Sequence, residues 1–336
     1  MAYSPEFGLA FLAGSGQHGY TKPDGHYMDD LWAYDVNAHR WICLYPGSDA
    51  KTLRLKRNDH GFETDDRGEP IPVAQLAHGY QNVAYLPEER RFMFVQSDDP
   101  YWGKALPQRK EWLPPGASQY GAGGSPKHPW FWDLARSRWE RDVAEGPGPD
   151  TRCESVLEYI PSRKQVFFLY HSGVVWFYDR ATRGWTNASP SGPPPPFGID
   201  PVACFDVRRN RVYVHRNEVL WVYDVARNAW SNPEPTGKPP KGDQGGGHDK
   251  TFTFDSAHGV AVLTVYRDLP ERKGIYVYDP ASNSWTKEPH PFPESITPRM
   301  NLNAFYDPGR NVHVFHAAGD SEDDGVVWAY RYCPAE

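Results

Sequence analysis

Histidine, tyrosine and arginine recur in this chain at positions where a proton could be taken from, or given to, a bound substrate. Before four apolar runs stand His78 and Tyr80, Arg152, His248 and Asp249, and Arg299 and Asn301; after the partner runs stand Tyr170, His171, His215, Arg216 and His316. Neutral histidine and tyrosine are the usual acid–base pair near neutral pH, and arginine clamps a carboxylate through two parallel N–H groups. β-Elimination of a uronate sugar uses such a set: arginine neutralises the carboxylate and acidifies C5–H, histidine or tyrosine takes the proton, and tyrosine protonates the leaving oxygen. His78, Tyr80, His171 and His248 are the candidates for that proton transfer. Arg152, Tyr170, Arg216, Arg299, Asn301 and Trp102 are candidates for holding the substrate. His18, His26 and His316 could bring imidazoles together around zinc, copper or calcium, although no HExxH or EF-hand spacing occurs. Each such histidine also has a structural reading, as a hydrogen-bonded group between neighbouring loops.

The elements that would position these residues repeat along the chain. Five segments carry an aromatic–Asp pair with tryptophan six residues after the Asp: Tyr34–Asp35 with Trp41, Trp132–Asp133 with Trp139, Tyr178–Asp179 with Trp185, Tyr223–Asp224 with Trp230, and Tyr278–Asp279 with Trp285. Trp328–Ala329–Tyr330–Arg331 is a decayed sixth copy. The residues before each Asp are β-branched and aromatic, the composition of buried strands. The Asp opens a turn in which its carboxylate accepts local N–H groups, and the tryptophan packs back from the next strand. A further strand pair precedes each motif, as in Val156–Tyr159 with Val166–Leu169 and Val202–Phe205 with Val212–Val214. Four antiparallel strands, a to d, at ~45–55-residue spacing are the signature of propeller blades.

The aromatic–Asp pairs and their tryptophans resemble the kelch family, and the resemblance runs along essentially the whole chain. It departs where kelch blades end strand b in Gly–Gly: here those pairs are Ala13–Gly14, Gln96–Ser97, Tyr170–His171, Arg216–Asn217, Thr264–Val265 and His316–Ala317. The resemblance implies a single all-β domain over residues 1–336, a six-bladed kelch-like β-propeller of four-stranded antiparallel blades whose last blade lacks strand d. Since ring closure normally lets one terminus complete the other's blade, a shortened N-terminus or a three-stranded final blade is expected. Kelch propellers include enzymes and protein-binding scaffolds, so the resemblance leaves both open. Copper-radical oxidases use kelch-like propellers with a Tyr–Cys pair near the metal, which keeps Cys153 and Cys204 of interest.

The interval from Asp35 to Asp133 is twice the usual spacing and contains two insertions, about 46–75 and 98–127. The first is a d–a loop and the second a b–c loop, so both belong to the same end of their blades, and long loops in a compact domain tend to carry function. Trp102, Trp112, Tyr101 and Tyr120 of the second insertion could stack on sugar rings or pin the loop to its blade.

Composition bounds the rest. The 336 residues carry 36 basic and 43 acidic side chains, a net charge of −7 without a basic block, which argues against a nucleic-acid partner. No apolar stretch approaches the ~18 residues of a membrane span, and the start reads as lacking a signal peptide. Four cysteines without CxxC spacing do not suggest a zinc site; they leave two disulfides or free thiols open, and with them a secreted, periplasmic or cytoplasmic location. The sequence thus points to an oligo- or polysaccharide partner and a polysaccharide lyase reaction, with an interaction scaffold for a protein or glycan as the alternative. Two lesser features carry little: Gly245–Gly246–Gly247–His248 has no following helix, and Pro193–Pro196 reads as a stiff spacer.

Overall fold

A computed structural model describes residues 1–14, 28–49, 54, 56–72, 81–95, 127–149, 155–170, 173–196, 201–243, 249–289, 302–317 and 325–334. Among these residues the chain is all-β, with 25 strands and no helix. Six of its seven sheets follow one another as blades, the fold class of a six-bladed β-propeller. Blade 1 is β1 (Ala2–Ser4), β2 (Leu9–Ala13), β3 (Leu31–Asp35) and β4 (Arg40–Tyr45). Blade 2 is β7 (Val83–Leu86), β8 (Arg91–Phe94), β9 (Trp130–Asp133) and β10 (Arg138–Arg141). Blade 3 is β11 (Val156–Ile160), β12 (Gln165–Leu169), β13 (Val175–Asp179) and β14 (Gly184–Asn187). Blade 4 is β15 (Val202–Asp206), β16 (Arg211–Arg216), β17 (Val219–Asp224) and β18 (Ala229–Ser231). Blade 5 is β19 (Lys250–Asp255), β20 (Val260–Val265), β21 (Gly274–Asp279) and β22 (Ser284–Lys287). The last sheet has three strands, β23 (Leu302–Asp307), β24 (Val312–Ala317) and β25 (Val326–Tyr330). The four-stranded blades and the shorter final one follow the sequence reading.

The repeat motif explains each c–d hairpin. Asp35, Asp133 and Asp179 each accept two backbone N–H groups from the turn that follows, while Asp224 and Asp279 take at least one. Four residues after the Asp the chain passes through the left-handed region, at His39, Ser137, Arg183, Asn228 and Asn283, with φ between 49° and 51°. The tryptophan then lands directly opposite the aromatic residue: Tyr34, Trp132, Tyr178, Tyr223 and Tyr278 face Trp41, Trp139, Trp185, Trp230 and Trp285. Their ring centroids lie 4.8–5.3 Å apart. Such cross-strand aromatic pairs are the unit of sheet stabilisation.

The a–b hairpins use the same device in blades 4 to 6, where Asp206, Asp255 and Asp307 each accept two turn N–H groups. A side chain three residues on closes the clasp: Arg209 at 2.9 Å, His258 at 2.8 Å and Arg310 at 2.7 Å from the second carboxylate oxygen. These carboxylates are spent on their own turns.

By contacts the chain divides into two compact units, one of residues 1–157 with 176–187 and one of residues 158–175 with 188–336. The core of the first gathers Phe11, Leu31, Phe92, Phe94, Trp130, Trp132 and Trp139. That of the second gathers Val202, Cys204, Tyr213, Leu220, Phe252, Leu263 and Trp285. In the second unit a feature without an expectation behind it joins successive sheets. Ser191 and Thr236 form parallel bridges with Ala229 and Ser284, the first residues of β18 and β22. The next residues, Gly192 and Gly237, have φ of 83° and 67°, and a Cβ on either would overlap the carbonyl oxygen of Trp230 or Trp285. Only glycine allows that approach.

Part of the first insertion is described. It contains a small hairpin, β5 (Lys56–Arg57) with β6 (Glu63–Thr64). Asn58 and Asp65 organise its turns by accepting backbone N–H groups. The second insertion lies outside the described residues, apart from Lys127.

Candidate functional site

Of the thirteen residues singled out for chemistry, the described ones are Tyr170, Arg216 and His316. His78, Tyr80, His171, His248, Arg152, Arg299, Asn301, Trp102, His18 and His26 lie outside the described residues, as does Cys153.

Arg216 ends β16 and pairs with Val219, so the b–c connection of blade 4 is a two-residue turn, Asn217–Glu218. Asn217 takes φ of 55°, a conformation that asparagine tolerates better than most side chains. The turn is held from another blade. Lys250, the first residue of β19, is 1% exposed, and its Nζ donates to the Asn217 carbonyl. Burial pushes the Lys250 ammonium down to about 7; the carboxylates of Asp249, Glu218 and Asp268 oppose that shift, and Lys241 adds to it. A lysine so placed is poised between charge states near neutral pH.

The groups around Lys250 are interlocked. Arg267 lies 3.1 Å from Asp243 and 3.8 Å from Asp249. The backbone N–H of Asp243 donates to the Arg267 carbonyl at 3.0 Å, and that of Gly242 to the Asp268 carboxylate at 3.2 Å. A Cβ on Gly242 would stand 3.0 Å from Asp249 Cβ and 3.2 Å from Lys250 Cε, so the segment lies directly on the lysine stem. His215, one residue before Arg216, is fully buried and meets Phe252 and Trp285 edge-on, at 6.3 and 5.6 Å. Burial, and then the Lys250 charge, hold its imidazole well below the usual histidine range. His215 is therefore neutral at pH 7, and among the described residues neither ring nitrogen has a hydrogen-bond partner.

The other described candidates sit apart in sequence and in different blades. Tyr170 follows β12, is half-buried, and its carbonyl accepts the Gly173 N–H at 3.0 Å. His316 stands on β24 opposite Asn303 and Val327, and burial pushes its imidazole down to about 4. Among the described residues no group of three or more His, Cys, Asp or Glu is placed to hold a metal. Cys43, Cys204 and Cys333 are free thiols. Cys204 faces Tyr213 across β15 and β16, inside the apolar core, where burial raises its pKa well above the usual thiol value. That makes it inert rather than reactive.

In the first unit the described part of the first insertion is an anchor. The Arg141 guanidinium is sandwiched between the Phe62 ring at 4.3 Å and the Trp130 ring at 4.7 Å, and its Nε donates to the His128 carbonyl at 3.2 Å. Burial lowers Arg141 to about 9 against the pull of Glu63. His128 accepts the Ala144 N–H through Nδ1 at 3.0 Å, and burial, with Arg141, Lys127 and His60 beside it, brings it to about 4. Phe62 thus ties the hairpin to blade 2 by cation–π and ring contacts.

The residue that sequence reasoning missed is Lys250. Asp249 and His248 were noted before β19, whereas the lysine between them and the apolar run was not singled out. Its position as the residue entering a wholly buried strand, Lys250–Asp255, was the available signal.

No family model matches the chain, and no curated protein does. Among solved structures, a copper complex of a fungal alcohol oxidase of the AA5 family is similar over 96% of this chain and 70% of its own, at 13% identity and a TM-score of 0.49.

Proposed function

We propose that this chain is a divergent kelch-like propeller that binds an acidic glycan at the b–c and d–a ends of its blades, with β-elimination as the reaction such a site would carry. The observation that supports this reading is Arg216, the last residue of β16, directly before a two-residue turn that a buried lysine holds in place. The opposite ends of the blades are closed by carboxylates already engaged in their own turns, which leaves them little to offer an anionic ligand. A guanidinium is the group that recognises a uronate carboxylate in two-point geometry. On this reading Arg152 and Arg299 extend the same recognition, His78, Tyr80, His171 and His248 handle the proton, and Tyr170 and Trp102 face the sugar.

The test is incubation with a panel of uronic-acid polysaccharides, following absorbance near ~235 nm, where the 4,5-unsaturated product absorbs. Calorimetric binding is measured alongside. A rising absorbance establishes the lyase. Binding with flat absorbance establishes a glycan-binding scaffold, and neither signal overturns the glycan reading in favour of a protein partner. A parallel arm with chelator asks whether zinc, calcium or copper, with His18, His26 and His316 as ligands, takes part.

A further inference from the structure

The joint between blade 5 and the three-stranded last blade is organised by one carboxylate that two histidines approach. Asp255 ends β19, and its Oδ1 accepts the N–H groups of Ala257 and His258 at 2.8 and 2.9 Å. The same oxygen takes the Tyr306 hydroxyl of β23 at 3.0 Å. Oδ2 meets His258 Nδ1 at 2.8 Å and lies 4.0 Å from Nε2 of His313 on β24. His313 is fully buried. Its Nδ1 bonds the Thr253 hydroxyl of β19 at 2.7 Å, and Tyr306 and Tyr330 flank its ring from the neighbouring strands at 4.9 and 6.0 Å. Beside these polar groups, Trp328, Tyr330 and Tyr332 pack against Val260, Val262, Ile275 and Val277 of blade 5.

The distances fix which proton sits where. Thr253 has one hydroxyl proton, and the 2.7 Å contact with Nδ1 is a far better bond than the 3.5 Å contact with the Val262 carbonyl. Thr253 therefore donates to Nδ1, and the imidazole proton stands on Nε2, toward Asp255. A second proton on the ring would displace the Thr253 donor and place a full charge in a fully buried site. Asp255 is too far from Nε2 for a hydrogen bond, and its oxygens are already engaged by the turn, His258 and Tyr306. We infer that Thr253, His313 and Asp255 form an acid-sensitive latch between blade 5 and the last blade, which opens when His313 takes up a second proton. The other titratable groups facing the latch are His258 in the turn after β19, Tyr306 on β23, Tyr330 on β25 and Tyr332 beyond it, with Glu288 beside the last two tyrosines. Burial pushes His313 down to about 4; Asp255 opposes that shift and His258 adds to it. An exposed histidine takes its proton near ~6.5, so the opened blade binds the proton first. The latch therefore holds in full above ~6.5 and weakens as pH falls from there to about 4.

The experiment compares the full chain with His313→Phe, which keeps a buried ring and removes both nitrogens. Hydrogen exchange of the strand amides is followed from about pH 7 to about pH 4 without ligand, as protection relative to the intrinsic rate at each pH. Over that range β23–β25 should lose about a hundredfold more protection in the parent than in the variant. His316, brought to about 4 by burial on the same strand, contributes equally to both proteins. At the acid end the parent's β23–β25 should also exchange faster than its β15–β18. Equal exchange of these two sets overturns the latch, because the last blade then does not open by itself. A variant that keeps the parent's pH profile overturns the role of His313. Should the variant fail to fold, the His313 Cε1 shift of the folded parent carries the same test: a midpoint near ~6.5 means that the ring charges with the blade closed, which overturns the inference. None of these readouts depends on a glycan, so the latch stands or falls separately from the proposed binding site.

Discussion

At one end of blade 4, Asp206 takes two turn N–H groups, the Arg209 guanidinium at 2.9 Å and the Tyr213 hydroxyl at 2.8 Å, all within seven residues. At the other end of the same sheet, the turn after Arg216 is held by a lysine from the next blade, 33 residues away. The first end is built from local chemistry that each blade can repeat. The second depends on side chains brought together only by tertiary packing, and those side chains differ from blade to blade. A repeated fold gains uniform stability at the first kind of end and leaves the second free to vary, as function requires.

Removing the repeat itself should have the largest effect. Trp230→Ala deletes a ring that is 3% exposed and packed 5.2 Å from Tyr223. A loss of about 3–5 kcal/mol is expected in denaturant titrations, and a loss under ~1 kcal/mol would contradict the stabilising role of these pairs. Asp206→Ala should follow at about 2–4 kcal/mol, because it strands the buried Tyr213 hydroxyl and two turn N–H groups together.

The Lys250 end and the Asp end should both gain stability as pH rises, in different pH windows. A lysine whose pKa is lowered on folding binds fewer protons folded than unfolded between about 7 and its ordinary value. Its burial cost is present in full below that window, and stability rises with pH through it, by about 2 kcal/mol after allowance for relaxation. Urea melts at pH 6.5 and 9.5 should show that rise in the parent and lose it in Lys250→Met.

At the turn end of blade 5, burial pushes the Asp255 carboxyl up, but the His258 and Tyr306 hydrogen bonds outweigh burial and bring it below its usual value. A carboxyl lowered on folding stabilises the protein above its unfolded value near ~3.9, and that contribution is lost as pH falls through the folded value. Asp255→Asn should therefore flatten the stability loss between pH 5 and pH 2.5 by about 1 kcal/mol, read from thermal melts. The smallest effect separates function from architecture. Arg216→Ala should abolish calorimetric polygalacturonate binding in a protein whose near-UV circular dichroism shows it folded; unchanged binding would remove Arg216 from the site.

The legibility of the sequence follows the same division. Tyr223–Asp224 with Trp230 predicted a strand, a turn and a packed return strand, because every interaction involved spans seven residues or fewer. The third strand of the last sheet was legible for the same reason, from the decayed copy Trp328–Ala329–Tyr330–Arg331. The hairpin within the first insertion was not foreseen, since Phe62 is fixed by Arg141, nearly eighty residues away. Nor was Lys250, whose chemistry comes from its surroundings rather than its type.

By itself, then, the sequence determined where strands begin, where they turn, how many blades there are and which aromatic rings face each other. Backbone hydrogen bonding and cross-strand packing are short-range, and the repeat states them directly. Only the tertiary structure decided that Lys250 is buried, that Asn217 accepts its proton donor, that His215 stays neutral and that Arg141 lies between two rings. Burial and proton affinity depend on which distant segments displace water from a side chain, and no spacing along the chain encodes that.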